Sequence, residues 1–185
     1  MNVKYIIVPT DNGDISITNP FINGNAWFVE KVNLVNSADA EIKALENTNL
    51  KKVAIVNESQ FGANFKSRSK NFIVDGTSSI SLKVHKPNYI KYTSKNSKEG
   101  LAVFSEIYYP KGWNVYVDGN KSSCFRSDYV LRAMFVPSGN HTIEFKFEPQ
   151  VVKTGSTIAL ISSIIILLLL VGGIYFKNKS KELKN

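Results

Sequence analysis

The chain has 185 residues, of which 43% are hydrophobic and 21% charged, and a formal net charge of +8. That length and composition exclude a disordered chain and leave room for one modest domain with appendages. A single cysteine, Cys124, excludes an intramolecular disulfide framework and any paired-cysteine metal or redox motif.

The positive charge is spread rather than blocked. Lys177, Lys179, Lys181 and Lys184 stand against Glu182 in the last ten residues, and the rest is distributed along the chain. A solvated surface is the first reading of such a pattern, and attraction to anionic lipid heads or phosphate-bearing polymers the second. No Lys/Arg cluster is interleaved with aromatic residues, and no zinc or helix-turn-helix spacing occurs, so nucleic acid is not an expected partner.

Val3 to Val8 reads as a short apolar strand, and Asp11 to Asp14 as a turn. No secretory signal is visible, because so short an apolar run cannot make the core of one. Ile15 and Ile17 alternate with polar residues, and Asn19-Pro20 and Asn23-Gly24-Asn25 are turn chemistry. Trp27 to Val32 is the next predicted strand, with Leu34-Val35 as an extension. Ser37 then suits a helix N-cap, with Asp39 and Glu41 in the positive first turn. Ala38, Ile42 and Leu45 share a face, which predicts a short amphipathic helix over Ala38 to Glu46. Lys51 to Val56 is a further strand. Residues 1–58 therefore read as a small α/β unit.

Residues 59–79 are rich in Ser, Asn, Lys and Gly and read as a linker or long loop, with a weak strand at Phe72 to Val74. Residues 80–150 carry the strongest signal. Short strands are cut by turns at Tyr109-Pro110-Lys111-Gly112, at Asp118-Gly119 and at Val136 to Asn140. The last strand alternates strictly, with His141, Ile143, Phe145 and Phe147 on one face and Thr142, Glu144, Lys146 and Glu148 on the other. The predicted fold class is mainly β: an antiparallel β-sandwich-like domain preceded by the α/β unit and followed by one C-terminal transmembrane helix.

That helix is the uncharged run at residues 155–176, long enough to span a hydrocarbon core of ~30 Å at 1.5 Å per residue. Tyr175 falls at an interface position. Only Lys153 lies just before the run, whereas four lysines follow it in the basic tail, 177–185. The positive-inside rule then predicts a cytoplasmic tail and an extracytoplasmic N-terminal domain in a bacterial cytoplasmic membrane. Nothing at the N-terminus would export that domain. The expectation is that earlier transmembrane segments do so, and that the chain is the end of a larger protein.

Several segments resemble the C-terminal region of YfhO-like bacterial membrane proteins. They are Asn2 to Ile7, Gly24 to Val29, Ser105 to Trp113, Val117-Asp118-Gly119, Tyr129 to Arg132 and Val136 to Ile143. Their order covers nearly the whole chain, including the closing helix. The resemblance implies a polytopic protein akin to membrane glycosyltransferases, which take a sugar from a polyprenyl-phosphate carrier and attach it to an envelope polymer outside the cell. It also implies that the catalytic carboxylate lies in an early extracytoplasmic loop, so none is carried over to this chain.

The residues themselves identify no catalytic, cofactor-binding or metal site. No metalloprotease, phosphate-loop, dinucleotide or nucleophile-elbow motif occurs. His85 and His141 are isolated on strands, where a structural role is expected. Glu106, Asp128 and Glu148 are the carboxylates that glycosyl chemistry would need to pair, and surface ion pairing is their ordinary reading. Trp113, Tyr109 and Arg132 are the candidate contacts for a glycan or an interface, against core packing for Trp113 and an ion pair with Asp128 or Glu106 for Arg132. Expected partners are membrane lipid, an upstream transmembrane portion or polytopic partner, and a polyprenyl-phosphate-linked sugar or envelope glycan. Two other readings stand beside the YfhO-like one: a stand-alone single-pass module that binds glycan or lipid-linked sugar, and a structural membrane protein.

Overall fold

The computed structural model describes residues 3–11, 13–20 and 22–182, the last nine of these as backbone only. Contacts divide the chain into two compact units, Met1–Phe147 and Glu148–Asn185.

The first unit is predominantly β. It opens with a hairpin of β1 (Tyr5–Val8) and β2 (Ile15–Thr18), which pair antiparallel. The expected single strand after Trp27 is two strands. β3 (Ala26–Val29) and β4 (Lys31–Val35) separate at Glu30 and enter different sheets. β4 runs parallel to β5 (Val53–Asn57), and α1 (Ala38–Leu45) connects them, as a parallel pair requires a crossover. Ser37 caps α1 as its sequence predicts, its side chain accepting from the Ala40 amide at 3.1 Å.

The buried face of α1 is not the expected one. Glu41 is fully buried, whereas Ile42 is 43% exposed. The inward residues are Ala38, Glu41, Ala44 and Leu45, a face centred on a carboxylate. Apolar spacing pointed to Ile42 because a lone Glu is ordinarily a solvent residue.

Residues 59–79 are not a free linker. α2 (Glu58–Phe61) and a 3-10 turn (Gly62–Phe65) follow β5 directly. Phe65 is buried, and Phe61 and Phe72 pack beside it. In place of a strand at Phe72 to Val74 there is one bridge, Lys31 to Asn71. Amides of Val32 and Phe72 donate to the carbonyls of Lys70 and Glu30 at 2.8 and 2.7 Å.

The remaining strands are β6 (Ser79–Lys86), β7 (Tyr89–Asn96), β8 (Gly100–Ile107), β9 (Trp113–Val117), β10 (Asn120–Ser122), β11 (Phe125–Ser127), β12 (Leu131–Val136) and β13 (Gly139–Phe147). They form a five-stranded sheet, β10-β9-β13-β7-β6, and a four-stranded sheet, β11-β12-β8-β3. β3 therefore crosses the boundary expected at residue 58 and completes the second sheet by pairing with β8. Asp118 (φ 50°) and Gly119 (φ 82°) both take left-handed backbone, and this makes the tight β9–β10 hairpin.

Two cores follow from this arrangement. Phe28, Ala102, Phe104 and Met134 of the four-stranded sheet meet Ile90, Tyr92, Ile143 and Phe145 of the five-stranded one. Phe104, Tyr92 and Phe145 pack edge to face with centroids 5.0 to 6.1 Å apart, contacts worth about 0.5–1.5 kcal/mol each beyond area burial. The opposite face of the four-stranded sheet presents Trp27, Val29, Leu101, Val103, Phe125 and Ala133 to Val32, Ala54, Val56 and Phe65. The four-stranded sheet is thus covered on both sides. That is why Leu101-Ala102-Val103-Phe104 is apolar without alternation, while β13, wet on one face, alternates.

In the second unit α3 runs Gln150–Glu182. Its stretch Gln150–Gly173 is long and apolar enough to cross a membrane. The hydroxyls of Thr157, Ser162 and Ser163 donate to the carbonyls four residues back at 2.9 to 3.0 Å, which satisfies them within the helix. The side chains of Tyr175 and of the tail lysines lie outside the described residues.

Candidate functional site

The sequence singles out Arg132, Trp113 and Tyr109, and the fold brings the first two together. Arg132 follows a bulge where the β12–β8 register shifts between Leu131 and Arg132. Its parity on β12 sends the side chain between the two sheets, where it is 4% exposed. Its Nε donates to the Ile107 carbonyl at 2.9 Å. The guanidinium lies 4.6 Å from the Trp113 ring and 5.1 Å from that of Phe145, a cation–π arrangement in a dry setting. Trp113 also packs on Phe147, with centroids 5.4 Å apart. Tyr109 lies apart from this stack, on the loop after β8, and half of it is exposed.

Desolvation dominates this cluster. Burial lowers the pKa of Arg132, opposed by the charges of Cys124, Glu106 and Tyr92. Burial also raises the Cys124 thiol and the Tyr92 phenol. Arg132 Nη1 and the Tyr92 hydroxyl are buried without a hydrogen-bond partner among the described residues. The ion pair expected for Arg132 does not form. Glu106 pairs with His85 at 3.2 Å, and Asp128 accepts from the Ile55 amide at 2.8 Å.

A second charged cluster joins α1 to the turn between β11 and β12. Glu41 accepts from the Tyr129 amide at 2.9 Å and from Arg126 Nη2 at 3.2 Å. Arg126 lies 5.7 and 5.6 Å from the rings of Phe61 and Tyr129. Beside it Asp128 is 4% exposed, and its Oδ2 has no partner among the described residues. Burial, reinforced by the Glu41 charge and opposed by the Ile55 amide, pushes its carboxyl up to about 7. Asp128 (φ 48°) and Tyr129 (φ 69°) are both left-handed. Two consecutive non-glycine residues in that region carry strain that the surrounding bonds must hold. Sequence reading missed Glu41, although its place among Ala38, Ala44 and Leu45 was the available signal.

His141 forms the third cluster. Its Nδ1 lies 2.6 Å from Asp118 Oδ2, and its Nε2 lies 3.0 Å from the Ser138 carbonyl. Both partners are acceptors, so the imidazolium form satisfies both, and its pKa is raised while that of Asp118 is lowered. The pair borders a shallow groove of about 280 Å³ lined by Ser79, Ser81, Thr93 and Lys95 among others. Among the described residues no group of three or more His, Cys, Asp or Glu is placed to hold a metal ion.

A layered β unit followed by a helix fit for a bilayer defines a membrane-associated β-domain protein. The family model for the bacterial membrane protein YfhO matches residues 32–159, and the chain belongs to that family. No curated protein and no solved structure matches it.

Proposed function

We propose that this chain is the non-catalytic extracytoplasmic domain and membrane anchor of a YfhO-type protein that takes part in glycosylating cell-envelope polymers, the catalytic part being polytopic and outside this chain. The observation that carries the reading is the extent of the family match. It runs from Val32 in β4 into the first turns of α3 and takes in every strand of the two large sheets except β3, so most of the β unit and the entrance of the helix form one family module. The use made of the charged groups supports a non-catalytic role. Glu41 and Asp128 are buried and engaged by backbone amides, and Glu106 is held by His85. A carboxylate that serves as a base in glycosyl transfer has to be open to the acceptor, and paired-carboxylate chemistry needs two that flank one opening.

The test has two arms. Removing the gene from its host is expected to strip the sugar from an envelope polymer, and an unchanged sugar content overturns the role in glycosylation. The purified chain is expected to transfer no sugar from a polyprenyl-phosphate donor, and turnover by it alone overturns the non-catalytic assignment. The orientation is read by adding Ser138→Cys to a Cys124→Ser background and labelling intact cells with an impermeant maleimide. Labelling is expected before lysis, and labelling only after lysis reverses the topology.

A further inference from the structure

We infer that the end of the β unit at which β13 finishes is a docking surface for the lipid bilayer that takes up α3. The inference goes beyond the proposed function. It needs the membrane helix but no role in glycosylation.

Pairing and contact place several chain segments at this end. Ile107, the last residue of β8, pairs with Leu131, and the Tyr108 amide donates to the Val130 carbonyl at 2.7 Å. In the other sheet Phe147 pairs with Trp113, and its amide donates to the Asn88 carbonyl at 3.0 Å. Arg132 ties the two halves, bonding Ile107 while lying on Trp113 and Phe145. The loop from Tyr108 to Gly112 crosses from one sheet to the other here.

The rim so defined is apolar and aromatic and carries two exposed lysines. Ile107 is 70% exposed, Tyr109 50%, Val130 45% and Phe147 36%. Lys86 and Lys111 are exposed beside them, Glu106 lies 3.2 Å from His85, and Glu148, directly after Phe147, is half-buried. The opposite end is different in kind. The turns there, around Asp118-Gly119, Ser138-Gly139 and Ser97-Lys98-Glu99, are polar, and among the described residues no large hydrophobic side chain in them is exposed. Single exposed apolar residues are ordinary on soluble surfaces. Four of them at one end, flanked by lysines and absent from the three turns just named, match the composition of a membrane interface, where aromatic rings and lysines sit at headgroup level.

Chain continuity and charge identify the occupant. Only Glu148 and Pro149 separate Phe147 from the start of α3 at Gln150. Whatever bilayer holds the helix is kept within a few residues' reach of this rim. The two lysines suit anionic headgroups, and the four apolar side chains suit the boundary beneath them.

The test uses the full chain in nanodiscs, with Cys124→Ser and one new cysteine carrying a fluorophore. Tyr109→Cys and Val130→Cys report the rim, and Ser138→Cys reports the opposite end. Discs of phosphatidylcholine alone, or mixed equally with phosphatidylglycerol, contain lipids with a quencher at headgroup level. Quenching is expected at the two rim positions and not at Ser138, and more strongly in the anionic discs. Lys86→Gln and Lys111→Gln are each expected to lower the docked-to-free ratio there about fivefold, as a lysine near an anionic surface should. Equal quenching at all three positions, quenching at Ser138 alone, or none at the rim overturns the inference. Rim quenching that ignores both lipid charge and the lysines overturns its electrostatic part.

Discussion

Glu41 on α1 and Arg126 on β11 meet at 3.2 Å across 85 residues of chain, with the carboxylate fully buried. The pair joins the α/β layer to the edge of the four-stranded sheet, and Glu41 also holds the amide of the strained Tyr129. Removing one partner of a buried pair leaves the other uncompensated, at about 3–5 kcal/mol. Arg126 keeps some solvent contact, so Glu41→Ala is expected near the lower end of that range. Glu41→Gln keeps an acceptor for Tyr129 and is expected to cost about half as much. Urea unfolding followed by tryptophan fluorescence measures both, and equal losses for the two variants would count against the backbone bond as a separate contribution.

Asp128 makes the protein less stable as the medium becomes alkaline. Its carboxyl rises from 3.8 to about 7 on folding because it is buried. The folded state therefore holds a proton that the unfolded state releases, so its stability contribution is full below about pH 4 and is lost as pH rises through about 7. The loss is of the order of 4 kcal/mol at most. Asp128→Asn retains an acceptor for the Ile55 amide and removes the titration. Unfolding free energies at pH 5 and pH 8 are expected to differ less in the variant than in the parent, and parallel pH curves would sink the assignment.

Much of the fold was legible because local chemistry and final structure agree. The alternation of β13, the Asp118-Gly119 hairpin, the Ser37 cap and the terminal helix all stand where pattern and turn residues put them. What was not legible depends on contacts between segments distant in the chain. Nothing local says that Glu30 divides one apolar run between two sheets, or that β3 closes a sheet with β8. The polar look of residues 59–79 hides Phe61, Phe65 and Phe72, which are spaced too irregularly to show a period. In the candidate site the residues stood out one by one, but no local pattern brought them together. Arg132 meets Trp113 through the pairing of distant strands, and the ion pair expected for Arg132 is replaced by a carbonyl and two rings.

His141 and Asp118 make a pH-dependent clasp that ties the start of β13 to the β9–β10 turn. The folded histidine pKa is raised, so its contribution is present below the unfolded value and is lost as pH rises through the folded one. Asp118 is lowered, so its contribution is present above its unfolded value and is lost as pH falls through the folded one. The clasp is strongest between those limits. Asp118→Asn tolerates the left-handed backbone but removes the charge, and it is expected to move the His141 titration, followed by NMR, to lower pH. An unmoved titration would assign the shift to the Ser138 carbonyl instead.

Arg132 is a buried cation held by little. One carbonyl, two rings and the nearby Glu106 charge offset its desolvation, and Nη1 has no partner among the described residues. Buried charges so placed are replaced by apolar residues of similar volume with little loss or a gain. Arg132→Met is therefore expected to change stability by less than about 1 kcal/mol, because the flexible thioether fills the same space between Trp113 and Phe145. Arg132→Ala empties that space and is expected to cost about 2–4 kcal/mol. Arg132→Lys keeps the charge but not the planar fork that stacks on the indole while bonding Ile107, so it is expected to fall between the two. Chemical denaturation ranks the three. If methionine proves as damaging as alanine, the guanidinium contributes more than its volume, and the cation–π stack on Trp113 is the interaction that holds this end of the two sheets together.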